Sequence, residues 1–265
     1  MVIYSTHSRD DLHVLVCKAI KGAKRSIDIH TYTLSDPAII RLLKKKAADG
    51  VAVSVTYDGK TTAPLPPPIQ SHPWHGRGLM HRKILLIDDT YVYLGSANLT
   101  EASLKMHDNM MIGLWDPPLA TFLKNPTQTS FGNRFYFLPS PEALPFLLKK
   151  LNEAETSIDV ALFTLTHKPL IAALINAHER GVKVTVKLDR YAMKGACKKA
   201  AKQLSDAEVP LLVSEGMQLY HHKWVLIDKK IWIMGSANWT HAAFSKNKDF
   251  IYYIDNIDNN KIKLN

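Results

Sequence analysis

Two stretches decide the fold: residues 26–58, SIDIHTYTLSDPAIIRLLKKKAADGVAVSVTYD, and residues 157–189, SIDVALFTLTHKPLIAALINAHERGVKVTVKLD, which align without a gap at an offset of 131 positions. A long-period internal repeat marks a duplicated architecture. Each copy opens on a β-branched run (Ile27 and Ile29; Ile158 and Val160). Ser35 or Thr166 then stands where a helix N-cap belongs, ahead of an amphipathic stretch. Gly50 and Gly181 read as the glycines that stop that helix, and the alternation Val51, Val53, Val55 or Val182, Val184, Val186 predicts a second strand. A strand-helix-strand unit places its strands parallel with a right-handed crossover. Upstream, residues 11–24 and 142–155 predict amphipathic helices, each introduced by a short strand at residues 2–4 or 135–138.

The chain therefore reads as α/β, built from two similar halves, residues 1–130 and 131–265. The seam falls near residues 116–134, DPPLATFLKNPTQTSFGNR, where prolines and turn residues displace strand character. A second irregular stretch, residues 59–78, carries Pro64, Pro66, Pro67, Pro68 and Pro73 and reads as a loop. In the second half the matching interval is nine residues longer and predicts a basic helix near residues 193–204, then a strand at 210–213.

Beyond those intervals the halves realign at an offset of 140: HRKILLIDDTYVYLGSANLT at residues 81–100 and HHKWVLIDKKIWIMGSANWT at residues 221–240. Both fit His-x-Lys, four residues, Asp, six residues, Gly-Ser-x-Asn. Six fixed positions match by chance roughly once in 10^8 starting points at ordinary residue usage, so two matches in register with a repeat are no accident. His and Lys two apart on a strand share a face, which sets an imidazole beside an ammonium at His81 and Lys83 and at His221 and Lys223. That pairing suits a phosphate and opposes a metal ion, and no cofactor or metal is called for. Asp88 and Asp228 fall at the turns of two expected β-hairpins and read as structural. Gly95 and Gly235 allow close approach, while Ser96, Asn98, Ser236 and Asn238 offer neutral donors to phosphoryl oxygens. Thr100 and Thr240 read as N-caps of the following helices. The lysine sets 44–46 and Lys194, Lys198, Lys199 and Lys202 read as solvated helix faces, and Trp224 and Trp232 as core.

The residues just quoted resemble the duplicated signature of the phospholipase D superfamily over nearly the whole chain. The resemblance implies two phospholipase D-like α/β layers, related by a pseudo-twofold axis, whose motifs meet at one active site at their interface. It implies a phosphohistidine mechanism needing no metal: one histidine attacks phosphorus, and the other protonates the leaving oxygen and then activates water. The lysines and asparagines hold the phosphoryl oxygens. Members often carry an acidic residue about 28 positions after the motif histidine, hydrogen-bonded to an imidazole. Here that position holds Asp249 in the second half but Asn109 in the first, so the two histidines are not equivalent.

With 34 Lys and Arg against 24 Asp and Glu, the chain of 265 residues carries a net charge of +10, which favours polyanions. The first expectation is a nuclease acting on DNA or RNA. The alternative is a phospholipase or cardiolipin synthase-like phosphatidyl transferase acting on anionic phospholipid, and the third is a non-catalytic polyanion or membrane binder. Both motifs lie on one chain, so a monomer suffices. At 46% apolar and 22% charged residues the composition excludes disordered, collagenous and coiled-coil classes. Cys17 and Cys197 are too few and too distant for a zinc set or a disulfide framework and read as reduced, packed thiols. No run approaches 18 apolar residues and the first residues lack a secretory pattern, although a trimmed signal would leave the same chain, so the compartment stays open.

Overall fold

A computed structural model describes residues 1–257 and residue 262. The chain divides into two compact units, Met1–Phe131 and Gly132–Asn265, each with its own apolar core.

In unit 1 the chain runs β1 (Val2–Ser5), α1 (Leu12–Gly22), β2 (Ser26–Thr31), α2 (Pro37–Ala48), β3 (Ala52–Asp58), β4 (Gln70–Trp74), β5 (Ile84–Ile87) and β6 (Tyr91–Gly95). It continues through α3 (Glu101–Lys105), β7 (Met110–Trp115), α4 (Pro117–Lys124) and the short β8 (Ser130–Phe131). The seven strands β1 to β7 form a mixed sheet in the order β1-β7-β6-β5-β2-β3-β4. β2 pairs parallel to β3, and β3 to β4; the other neighbours are antiparallel.

Unit 2 repeats the pattern with β9 (Phe135–Leu138), α5 (Ala143–Asn152), β10 (Ser157–Leu162), α6 (Lys168–Glu179) and β11 (Lys183–Leu188). α7 (Arg190–Lys194), α8 (Lys198–Asp206), β12 (Leu211–Val213), β13 (Lys223–Ile227), β14 (Ile231–Gly235), α9 (His241–Ser245) and β15 (Asp249–Ile254) complete it. Its strands β9 to β15 run in the order β12-β11-β10-β13-β14-β15-β9, repeating the neighbours of β1 to β7 strand for strand. The expected parallel pairs and motif hairpins are all present.

Local chemistry explains these elements. Gly50 and Gly181 take φ of 90° and 89°, the left-handed turn that ends α2 and α6. Val51 N–H then reaches back to Lys46 O at 3.0 Å, and Val182 N–H to Ala177 O at 3.1 Å. In each motif hairpin both central residues have positive φ, Asp88 and Asp89 at 56° and 54°, Asp228 and Lys229 at 50° and 54°, which is the I′ geometry that matches strand twist.

Four sequence expectations change. The caps of α2 and α6 are Asp36 and His167, not Ser35 and Thr166. Pro37 fits the first helical turn, and the Asp36 carboxylate accepts from Ala38 N at 2.9 Å and Ile39 N at 3.1 Å. The Ser35 and Thr166 N–H groups instead donate to Leu99 O and Trp239 O. The seam is helical over α4, because Pro117 and Pro118 occupy its first turn behind the Asp116 cap. The proline-rich stretch contains β4; as the edge strand it tolerates Pro73, which has no N–H to donate. The basic helix is two helices, α7 and α8.

Both cysteines are free and buried. Among the described residues, no helix is long and apolar enough to cross a membrane.

Candidate active-site residues

Each motif begins just ahead of a strand, not inside one. His81 and Lys83 precede β5, and His221 precedes β13, which Lys223 opens. The reason lies in a residue that the sequence reading passed over. Asp58, at the end of β3, takes Met80 N–H at 3.0 Å, and Asp189, just past β11, takes Tyr220 N–H at 2.9 Å. Each buried carboxylate fixes the backbone one residue before its histidine and holds it out of the ladder. Both aspartates close the aligned repeats, so their equivalence at an offset of 131 was the available signal.

The shared-face argument survives by another route. His81 packs edge-on against Tyr32 at 5.3 Å between centroids, and Lys83 Nζ lies 5.5 Å from the same ring. In unit 2, His221 sits 5.1 Å from Phe163 and Lys223 Nζ 5.2 Å from it. Tyr32 and Phe163 are equivalent in the repeat, each directly following β2 or β10. Each lysine also donates to the carbonyl of its own histidine, Lys83 Nζ to His81 O at 2.6 Å and Lys223 Nζ to His221 O at 2.8 Å. Imidazole and ammonium thus share one aromatic platform, with the ammonium tied to the histidine's backbone carbonyl, and all are nearly buried: His81 is 8% exposed, His221 7%, and each lysine 3%. An ammonium drawn this far from water is a strong local anion attractor.

The Gly-Ser-x-Asn segment begins at the last residue of β6 and of β14. A methyl group built on Gly95 would strike Met110 O, and one on Gly235 would strike Phe250 O, so both glycines admit the neighbouring strand's backbone. Ser96 Oγ donates to Asn109 Oδ1 at 2.8 Å, and Ser236 Oγ donates to Asp249 Oδ1 at 2.7 Å. Each hydroxyl also accepts a strand N–H, from Met110 at 3.1 Å and Phe250 at 3.0 Å. A hydroxyl has one proton, and Ser96 and Ser236 each give theirs to the residue 13 positions on. Asn109 is further held by its Nδ2, which donates to Ser103 O at 2.8 Å. Asn98 and Asn238 are different. Each is half-buried, and among the described residues each keeps a buried side-chain oxygen without a hydrogen-bond partner. An orphaned polar atom repeated at equivalent places marks a position kept for a guest.

Thr100 and Thr240 cap α3 and α9 through the N–H groups of Ser103 and Ala243. Asp88 Oδ atoms accept the N–H groups of Lys24, Arg25 and Ser26; Asp228 does the same for Glu155, Thr156 and Ser157. Lys194, Lys198, Lys199 and Lys202 are exposed on α7 and α8, and Trp224, Trp232 and Trp239 are core.

A family model described as "Cardiolipin synthase, PLD-like domain" matches the chain twice, over residues 16–126 and 147–262. The chain belongs to the phospholipase D superfamily. As a member it is similar to a protein named phospholipase D from Rickettsia typhi, 34% identical over 119 residues, 45% of this chain and 58% of that one. It is similar also to the mitochondrial cardiolipin hydrolase of Homo sapiens, 35% identical over 121 residues, 42% of this chain and 44% of that one. In both cases this phospholipase D-superfamily chain spans about half the length of the curated relative it matches. Its fold is that of the phosphatidylserine synthase of Haemophilus influenzae, with a TM-score of 0.73 over 97% of this chain and 82% of that one, at 14% identity.

Proposed function

We propose that the chain is a phosphodiesterase that works through a phosphohistidine and requires no metal, with one phospholipase D-like half on either side of residue 130. The observation that carries this reading is the twice-repeated lock of histidine and lysine on one aromatic ring. Superfamily membership supports it. His81 attacks phosphorus with its ring lone pair; the P–O bond to the leaving group breaks, and His221 gives its proton to the departing oxygen. His221, now neutral, takes a proton from water, whose oxygen displaces His81 from phosphorus. Dividing one hard displacement into two is the advantage of a covalent route. Lys83, Lys223, Asn98 and Asn238 hold the phosphoryl oxygens, where fixed positive charge is most effective against developing negative charge. Ser96, Ser236 and Asp249 position these groups.

For the substrate we favour nucleic acid, on the net charge of +10. The names of the relatives, phospholipase D and cardiolipin hydrolase, favour the second reading, a phospholipid. One assay divides them: single-stranded DNA, duplex DNA, RNA, and phosphatidylcholine or phosphatidylglycerol vesicles, run in parallel with EDTA present. Vesicle hydrolysis without nucleic-acid cleavage selects the lipid. Activity lost to chelation and restored by Mg or Zn sinks the mechanism. The roles separate on bis(p-nitrophenyl) phosphate, whose leaving group needs no proton. His221→Asn then releases about one equivalent of nitrophenolate in a burst and stalls as phosphoenzyme, whereas His81→Asn gives no burst. The opposite result reverses the assignment.

A further inference from the structure

Unit 1 carries a groove of about 490 Å3 between α1 and α2. None of its lining residues belongs to either motif. Its floor is apolar: Val14, 41% exposed, with Cys17, Ala38 and Leu42. Around it stand Lys18, Lys21, Arg41 and Lys45, all exposed, and among the described residues no carboxylate lines it. Lys45 pairs with Asp49 at 2.7 Å, an exposed pair within one helix that leaves most of its charge effective. At one end His13 lies 3.2 Å from the buried Asp36.

The duplication supplies an internal control. The positions equivalent to Lys18, Lys21, Arg41 and Lys45 in unit 2 are Lys149, Asn152, Ala172 and Asn176, one cation where unit 1 has four. The shared fold therefore does not demand this charge. Lysine and arginine stems can lie along the apolar floor while their heads stay in water.

We propose that this groove binds an anionic phospholipid, with the phosphate held by the four cations and the start of the acyl chain on the floor. A nucleic-acid backbone would use the cations but leave Val14 and Leu42 without a role. A volume of about 490 Å3 falls within the usual range for a small-molecule site. The groove docks unit 1 on an acidic lipid surface, whichever phosphodiester the motifs cleave.

The test is flotation of the full chain with phosphatidylcholine vesicles containing or lacking phosphatidylglycerol. Each Lys or Arg near an anionic leaflet strengthens binding about five-fold, so K18Q/K21Q/R41Q/K45Q lowers partitioning by a factor on the order of 10^2 to 10^3. The matched control K194Q/K198Q/K199Q/K202Q removes equal charge elsewhere and changes it little. Val14→Asn with Leu42→Gln weakens vesicle binding about tenfold while leaving retention on heparin unchanged. Circular dichroism melts confirm that each variant is folded. Equal loss in groove and control variants overturns the proposal. So does a groove variant that loses duplex DNA binding while the parent never binds vesicles. Because the readout is binding, and hydrolysis of bis(p-nitrophenyl) phosphate is expected to be unchanged in the groove variants, the docking site and the catalytic reading can fail separately.

Discussion

Replacing Asp228 tests whether the aspartate of the motif serves the hairpin or the chemistry. Its carboxylate takes Glu155 N–H at 3.1 Å, Thr156 N–H at 2.7 Å, Ser157 N–H at 3.0 Å and the Thr156 hydroxyl at 2.9 Å. Four hydrogen bonds to a charge, at about 1.5 kcal/mol each, sum to about 6 kcal/mol before solvent is considered. The group is half-buried, and water replaces part of what is lost, so Asp228→Ala should cost about 2–4 kcal/mol and Asp228→Asn about half of that. Urea unfolding followed by tryptophan fluorescence suits the measurement. Trp224, Trp232 and Trp239 are buried in unit 2, whereas Trp115 of unit 1 is 70% exposed and less responsive.

The pH dependence gives the sign. Burial works to raise the Asp228 pKa, but the hydrogen bonds from Ser157, Thr156 and Glu155 outweigh it and hold the carboxyl below its ordinary value. A depressed acid stabilises the fold fully above its unfolded pKa, about 3.9, and ceases to as pH falls through the folded value. The gap between parent and Asp228→Asn should therefore be flat from about pH 5 to 8 and narrow below about pH 4. If phosphodiesterase activity collapsed in Asp228→Ala with the urea midpoint unmoved, the carboxylate would be acting on the substrate and the structural assignment would be wrong.

Two further outcomes follow from the packing. Gly235→Ala pushes a methyl into Phe250 O and to 3.1 Å from Ile251 Cα, both backbone atoms that cannot rotate away, so it should destabilise unit 2 by about 3 kcal/mol or more; a thermal midpoint within a degree or two of the parent would disprove the tight β14–β15 approach. His30 in β2 has its pKa lowered to about 3 by burial first, then by Arg82 and His72. Between about pH 6.5 and 3 the unfolded chain gains a proton there that the folded chain refuses, so stability falls with pH by up to about 2 kcal/mol between pH 7 and 5. His30→Ala, the residue found at the equivalent Ala161, should flatten that slope, and an unchanged slope would refute the assignment.

Much of the fold was legible because the chain states it twice. A parallel β2–β3 pair could have been a chance pattern; the same pattern at β10–β11 could not. What escaped was hidden by proline. Pro117 and Pro118 look like helix breakers until they are seen in a first helical turn, where the missing N–H had no partner to lose. Pro73 argues against a strand unless that strand is an edge, and edge position is a property of the whole sheet. Of the candidate site residues, the histidines and lysines were legible from spacing. The Ser96 and Ser236 hydroxyls were not, because a serine's acceptor depends on which strand lies beside it. Asp58 and Asp189 were missed for the same reason: their partners are backbone N–H groups, which leave no mark in the side-chain pattern.

The differences between the halves carry as much meaning as the agreements. Asn109 and Asp249 occupy one place in the repeat and take the same serine proton, yet their surroundings have changed with them. In unit 1, Asn109 Nδ2 donates to Ser103 O, and Ser103 Oγ accepts Asn98 N–H at 2.9 Å. A carboxylate at 109 would set an oxygen against that carbonyl, two acceptors about 2.8 Å apart with no proton between them. In unit 2 the residue equivalent to Ser103 is Ala243, which has no hydroxyl to offer the Asn238 backbone. One half is thus built around an amide and the other around a carboxylate, each accepting from the serine of its own motif. The repeat thus keeps the serine in place and varies its acceptor, so the two motifs share a scaffold without sharing the chemistry of that acceptor.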